Sequence, residues 1–104
     1  MIFEMRTYQL KVGVLQRYME QFGRVGLPIV ERYCRLVGYW SLDSGRLNRV
    51  VHIWAFESLE HRDECRRRWW ADPEWVEGYI PLALPLVESQ ESVIMSAAPF
   101  SPIR

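Results

Sequence analysis

The stretch "VVHIWAFE" at residues 50–57 constrains the fold more than any other part of the chain. β-Branched and aromatic residues fill it, as they fill strands. Successive side chains of a strand point to opposite faces, and both alternating sets are apolar: Val51, Ile53 and Ala55 on one side, Val50, Trp54 and Phe56 on the other. A strand hydrophobic on both faces must be covered on both. His52 breaks the pattern, an ionisable ring on the parity of Trp54 and Phe56.

The rest of the chain supplies partners for that strand. Residues 2–10 read as a strand with Ile2, Glu4, Arg6, Tyr8 and Leu10 on one parity and Phe3, Met5 and Thr7 on the other. Leu15, Tyr18, Met19 and Phe22 then recur at helical spacing. "GLP" at 26–28 is expected to break this helix, with Pro28 opening a second short one that reaches about Tyr33. Residues 35–42 form the second strand, "DSGRLN" a turn cluster and residues 49–56 the third strand, which together make a hairpin. Ser58 caps a helix running to about Ala71, whose Asp63→Arg67 and Glu64→Arg68 spacings support it. Asp72 and Pro73 restart a helix as N-cap and first residue, and residues 86–95 make a fourth strand.

The order predicts an α+β fold, the ferredoxin-like βαββαβ arrangement, over residues 1–95, followed by a C-terminal tail at 96–104. In that topology the first and third strands are central neighbours. Helices from one chain cover one face of a four-stranded sheet, so the second face needs another cover. The simplest is the same sheet from a second copy, so a homodimer is expected.

Charge and motifs bound the function. Thirteen basic residues balance thirteen acidic ones, so no overall field draws the chain to nucleic acid or to a membrane surface. No apolar run approaches the roughly 18 residues of a membrane span, and the N-terminus lacks a signal-peptide pattern. Cys34 and Cys65 have neither metal nor redox spacing and read as reduced thiols of a cytoplasmic protein. "RRRWW" at 66–70 reads as a solvated face beside a tryptophan anchor. His52 and His61 have no zinc-like spacing, and phosphate loops, nucleophile elbows and Cys–His signatures are absent; no metal and no cofactor are expected.

Taken together, "EMRTYQLKVG", "GLPIVERY", "LVGYW", "LNRVVHIWAFESLEHR", "DPEW" and "LVESQES" resemble successive blocks of the NIPSNAP family across residues 3–95. The resemblance implies a dimeric α+β barrel in which two four-stranded sheets close face to face. It implies no settled reaction, since the biochemical role of such domains is poorly defined. The wider group of such barrels contains cofactor-free monooxygenases of antibiotic biosynthesis, haem-degrading enzymes and muconolactone-isomerase-like proteins. The haem-degrading type uses Asn, Trp and His, with the Asn on the first strand. Trp54 and His61 are present, but residues 2–10 contain no Asn, and this departure speaks against haem degradation.

The candidate site follows from parity. If the register brings Glu4, Arg6 and Tyr8 onto the face of His52, Trp54 and Phe56, with Trp40 nearby from the second strand, one patch holds an acid, a guanidinium, a phenol, an imidazole and two indoles. One reading is a pocket for a small flat or aromatic molecule, with Arg6, Tyr8, Trp40, His52 and Trp54 as ligand-binding residues. Trp54 and Trp40 would give it area, Arg6 would grip a carboxylate or enolate, and His52 or Tyr8 would move a proton. The other reading is a buried polar network of Glu4, Arg6 and His52 that fixes strand register and partner choice. The expected function is small-molecule binding. A cofactor-independent monooxygenase or isomerase using the same pocket, and a structural interaction module, are the alternatives.

Overall fold

Pairing of the two-faced strand organises the molecule. In the computed structural model, which describes residues 1–104, four antiparallel strands form one sheet: β1 (Ile2–Leu10), β2 (Arg35–Ser41), β3 (Arg49–Phe56) and β4 (Val87–Ser96), in the order β2-β3-β1-β4. This is the expected ferredoxin-like arrangement with β1 and β3 at the centre. The register places Glu4 opposite Trp54 and Arg6 opposite His52. Arg6 also faces Ser92 across β4, and His52 faces Tyr39 across β2.

The helical segments pack on the face that carries these residues. Leu10, Val50, Trp54 and Phe56 from the sheet meet Tyr18, Phe22, Val30 and Trp69 from the helices in one core. The opposite face carries two apolar rows: Met95, Phe3 and Ala55, then Val93, Met5 and Ile53.

The first helical segment does not break at "GLP". Helix α1 (Leu15–Gln21) continues through a π-helical turn at Phe22–Gly26 into α2 (Leu27–Val30), and Gly26 itself has helical angles of φ −71° and ψ −49°. Proline lacks an N–H and crowds the carbonyl one turn back; a widened π turn ahead of it absorbs the missing bond without ending the helix. The device recurs. Helix α3 (Leu59–Trp70) is followed by a π-helical turn at Glu74–Tyr79, and Pro81 sits in the short α4 (Ile80–Ala83) beyond it. Gly26 serves close approach, because a Cβ there would lie 2.8 Å from the Phe22 ring and 3.0 Å from Tyr79.

The caps fall where expected. Ser58 Oγ accepts the His61 N–H at 3.0 Å, and Asp72 Oδ1 accepts that of Glu74 at 2.9 Å. The surface pairs differ from the i, i+4 expectation: Arg67 pairs with Glu64, three residues back, and Asp63 pairs with Arg62. In β2 the register jumps between Leu36 and Gly38 and leaves Val37 without a partner. Such a bulge inserts one residue and turns over every side chain beyond it.

Candidate functional site

Between sheet and helices lies a cavity of about 190 Å³. Its floor is a single row of the sheet, Arg6, His52 and Tyr39, flanked by Tyr8 and Trp54. Its roof is aromatic, with Tyr18, Phe22, Trp69, Trp75 and Tyr79. A volume near the roughly 150 Å³ that admits a benzene ring suits one ring with a substituent and is too small for fused polycycles. Trp70, Leu84 and Gln90, the exposed members of the lining, mark the mouth.

Four of the five candidate residues, Arg6, Tyr8, His52 and Trp54, line this cavity. Trp40 does not. It pairs with Val51 on the opposite face, where it is 50% exposed and its indole lies over Gly38. The bulge at Val37 is the cause: parity counted from Leu36 would have put Trp40 on the face of His52, and the extra residue puts Tyr39 there instead.

His52 is held as a neutral ring. Trp54 Nε1–H donates to its Nδ1 at 2.6 Å, so the hydrogen of the neutral imidazole sits on Nε2. Tyr39 stacks on it at 4.5 Å between centroids, and Tyr8 meets it edge-on at 4.7 Å. Burial, reinforced by the nearby Arg6 charge, lowers its pKa to about 3. A ring so placed can donate a hydrogen bond to an oxygen; it is a poor base.

The expected network of Glu4, Arg6 and His52 is only partly formed. Glu4 is 1% exposed and accepts from Arg6 at 2.8 Å, from Arg62 Nε and Nη2 at 2.9 and 3.0 Å, and from the Ser92 hydroxyl. Burial alone would raise the Glu4 pKa; the bonds from Arg62, Ser92 and Arg6 outweigh it and lower the carboxyl to about 2. This cluster ties β1, β4 and α3 together. His52 stands outside it, bonded to Trp54, and Arg6 reaches the cavity side through Tyr8, whose hydroxyl accepts from Arg6 Nε at 3.0 Å.

Arg66 corrects the reading of "RRRWW" as a solvated face. It lines the cavity, with its guanidinium 5.3 Å from the Trp69 ring centroid, whereas Arg67 is exposed and Arg68 lies over Tyr33. No carboxylate pairs with Arg66. The signal was present in the spacing, since Arg62, Cys65, Arg66 and Trp69 recur at i, i+3, i+4, i+7 and form the inward stripe of α3.

One Cys–His pair also comes together. His61 Nε2 lies 3.2 Å from Cys65 Sγ. The Glu57 N–H donates to His61 Nδ1 at 3.0 Å, which leaves the neutral ring's hydrogen on Nε2, facing the sulfur. Burial raises the Cys65 thiol pKa and pushes that of Cys34 up to about 12. Neither thiol is prepared as a nucleophile, and the pair reads as part of the α3 cap.

The NIPSNAP family model matches residues 3–102. The chain belongs to the NIPSNAP family. Human Protein NipSnap homolog 3A is 35% identical over 99 residues, which is 94% of this chain and 40% of that protein. Drosophila melanogaster Protein NipSnap is 31% identical over 97% of the chain and 36% of its own length, so the chain spans about two fifths of such curated relatives. Among solved NIPSNAP structures, Protein Atu4242 from Agrobacterium tumefaciens is 41% identical with a TM-score of 0.97, each chain fully covered. An uncharacterized NIPSNAP domain protein from Burkholderia xenovorans is 41% identical with a TM-score of 0.93, over 98% of this chain and 99% of its own. The cofactor-independent oxygenase SnoaB from Streptomyces nogalater shares the fold at 17% identity and a TM-score of 0.65, over 97% and 96% of the two chains. The NIPSNAP structures are of uncharacterized function, so the chemistry of the cavity is the guide to what this member does. No helix is long and apolar enough to cross a membrane.

Proposed function

We propose that the chain acts as a cytoplasmic homodimer that binds a small organic molecule, flat or aromatic, in the cavity of each protomer. The carrying observation is the cavity itself, roofed by aromatic rings and floored by the Arg6, His52 and Tyr39 row. Such enclosed, mostly apolar spaces with a few convergent polar groups are the usual form of ligand sites. The outer face supports the dimer: Phe3 and Ala55 are already buried within the chain, but Val93 and Trp40 are 46% and 50% exposed there, and a dimer formed over it should bury more than ~1,000 Å².

Turnover by a cofactor-independent oxygenase or isomerase is the second reading, favoured by the fold shared with an oxygenase and by the His52 Nε2–H, which suits a developing oxyanion. Binding remains the better account because the site lacks a base. Glu4 is spent on two arginines and a serine, and His52 Nδ1 is occupied by Trp54. A solid core would have favoured an interaction module; the cavity argues against it.

The test is a thermal-shift screen of small aromatic and keto acids on the wild type and on His52→Phe. Hits that stabilise the wild type by more than they stabilise the variant support a site at His52. Equal stabilisation of both proteins removes His52 from it.

A further inference from the structure

The polar groups around the cavity are unevenly matched. Trp69 Nε1 and Trp75 Nε1 can only donate, and neither has an acceptor; His52 Nε2 is also without a partner. His52 and Trp75 are at most 4% exposed, so bulk water does not satisfy them. Buried donors left unpaired are uncommon in folded proteins, and each calls for an explanation. Acceptors are scarce on the same walls. Glu4 is the sole acid of the lining, and its oxygens already take bonds from Arg6, Arg62 and Ser92. Arg66 adds a second guanidinium to the lining and has no carboxylate. Burial and the neighbouring Arg6 both work against its charged form, and an anion beside it would relieve both.

We infer that the cavity takes a small planar carboxylate, a single-ring aromatic acid or an aryl keto acid, with its carboxylate at Arg66 and a further oxygen turned to His52 and Tyr39. The inference rests on the cavity being a binding site. A neutral ring would fill the volume but leave Arg66 unmatched. Inorganic phosphate would meet the charge but leave the Trp69, Trp75 and Tyr79 walls uncovered. A carboxylate on one aromatic ring answers both, within about 190 Å³.

Calorimetric titration of the full chain with benzoate, 2-hydroxybenzoate and phenylpyruvate, against benzamide as the neutral isostere, tests this. On the wild type the acids should bind at least tenfold more tightly than benzamide. Arg66→Gln should bring acids and benzamide within about twofold of each other, whereas Arg67→Gln, on the exposed side of α3, should leave the preference intact. Arg66→Lys keeps a positive charge and should keep part of the preference, which preserves the test if Arg66→Gln does not fold. Benzamide binding as tightly as benzoate to the wild type would overturn the anion inference while leaving the binding site standing. Arg66→Gln that weakens acids and benzamide equally would also overturn it, since Arg66 would then only shape the wall. Failure of all four compounds to bind at millimolar concentration would remove both the inference and the proposed function.

Discussion

The two faces of the sheet are made from the same four strands and differ in what they ask of a neighbour. Toward the helices, the central rows hold Glu4 beside Trp54 and Arg6 beside His52, polar groups whose partners must be placed to within hydrogen-bonding distance. Away from the helices, the row of Val93, Met5 and Ile53 asks only for apolar cover. The first face is specified by geometry and encloses a cavity. The second is specified by area and suits a copy of itself. Hydrogen bonds are directional while the hydrophobic effect is not, so one face is suited to the proposed recognition and the other to the proposed assembly.

The sharpest break of this contrast is a charge at the centre of the outer face. Ile53→Arg should abolish the proposed dimer, taking the mass in light scattering from about twice the 12.4 kDa chain to a single chain, with the cavity intact. A wild type that is already monomeric would end the account of that face. Next in size is Glu4→Gln. It leaves Arg6 and Arg62 without the carboxylate they share and should cost about 3 kcal/mol or more in urea unfolding. A loss below about 1 kcal/mol would mean that the cluster behaves like a surface pair.

His52→Phe should cost less, about 1–3 kcal/mol, because Trp54 Nε1 loses its acceptor. It also carries a pH signature. The folded-state pKa of His52 lies near 3, below its unfolded value of about 6.5. Between these values the unfolded chain binds the extra proton, so this contribution is complete above pH 6.5 and is lost as pH falls toward 3, by up to about 1.4 kcal/mol per pH unit. Glu4 adds a loss of the same sign only below about pH 4.5. Urea midpoints between pH 6.5 and 5 therefore isolate His52, and the wild-type slope should flatten in His52→Phe. The smallest effect concerns Trp40. Trp40→Leu should leave benzoate affinity within about twofold, and a larger change would place Trp40 at the cavity despite its pairing.

What was legible beforehand follows the same division. Period-two alternation in residues 2–10 and 49–56 was enough to place Arg6, Tyr8, His52 and Trp54 on one cavity wall, given the register that the hairpin and the central pairing impose. Trp40 was expected where Tyr39 lies because a bulge leaves no mark in hydrophobicity; the glycine in "LVGYW" was its one trace. Arg66 was hidden by composition, since three consecutive arginines resemble a wet surface, although their helical spacing separates one from the other two. The "GLP" break failed because proline was weighed as a stop signal, when a π turn ahead of it lets the chain continue.

The unpaired Val37 has a consequence for how such domains diversify. Deleting that single residue would remove the bulge and keep Tyr39 opposite His52. Pairing it as a regular strand residue would instead turn over everything beyond it, handing Trp40 to the cavity and Tyr39 to the outer face with no side chain altered. Relatives of equal length that pair this residue would then expose the tryptophan to the cavity and the tyrosine to the outer face. An alignment that matches them column by column would credit each residue with its neighbour's role.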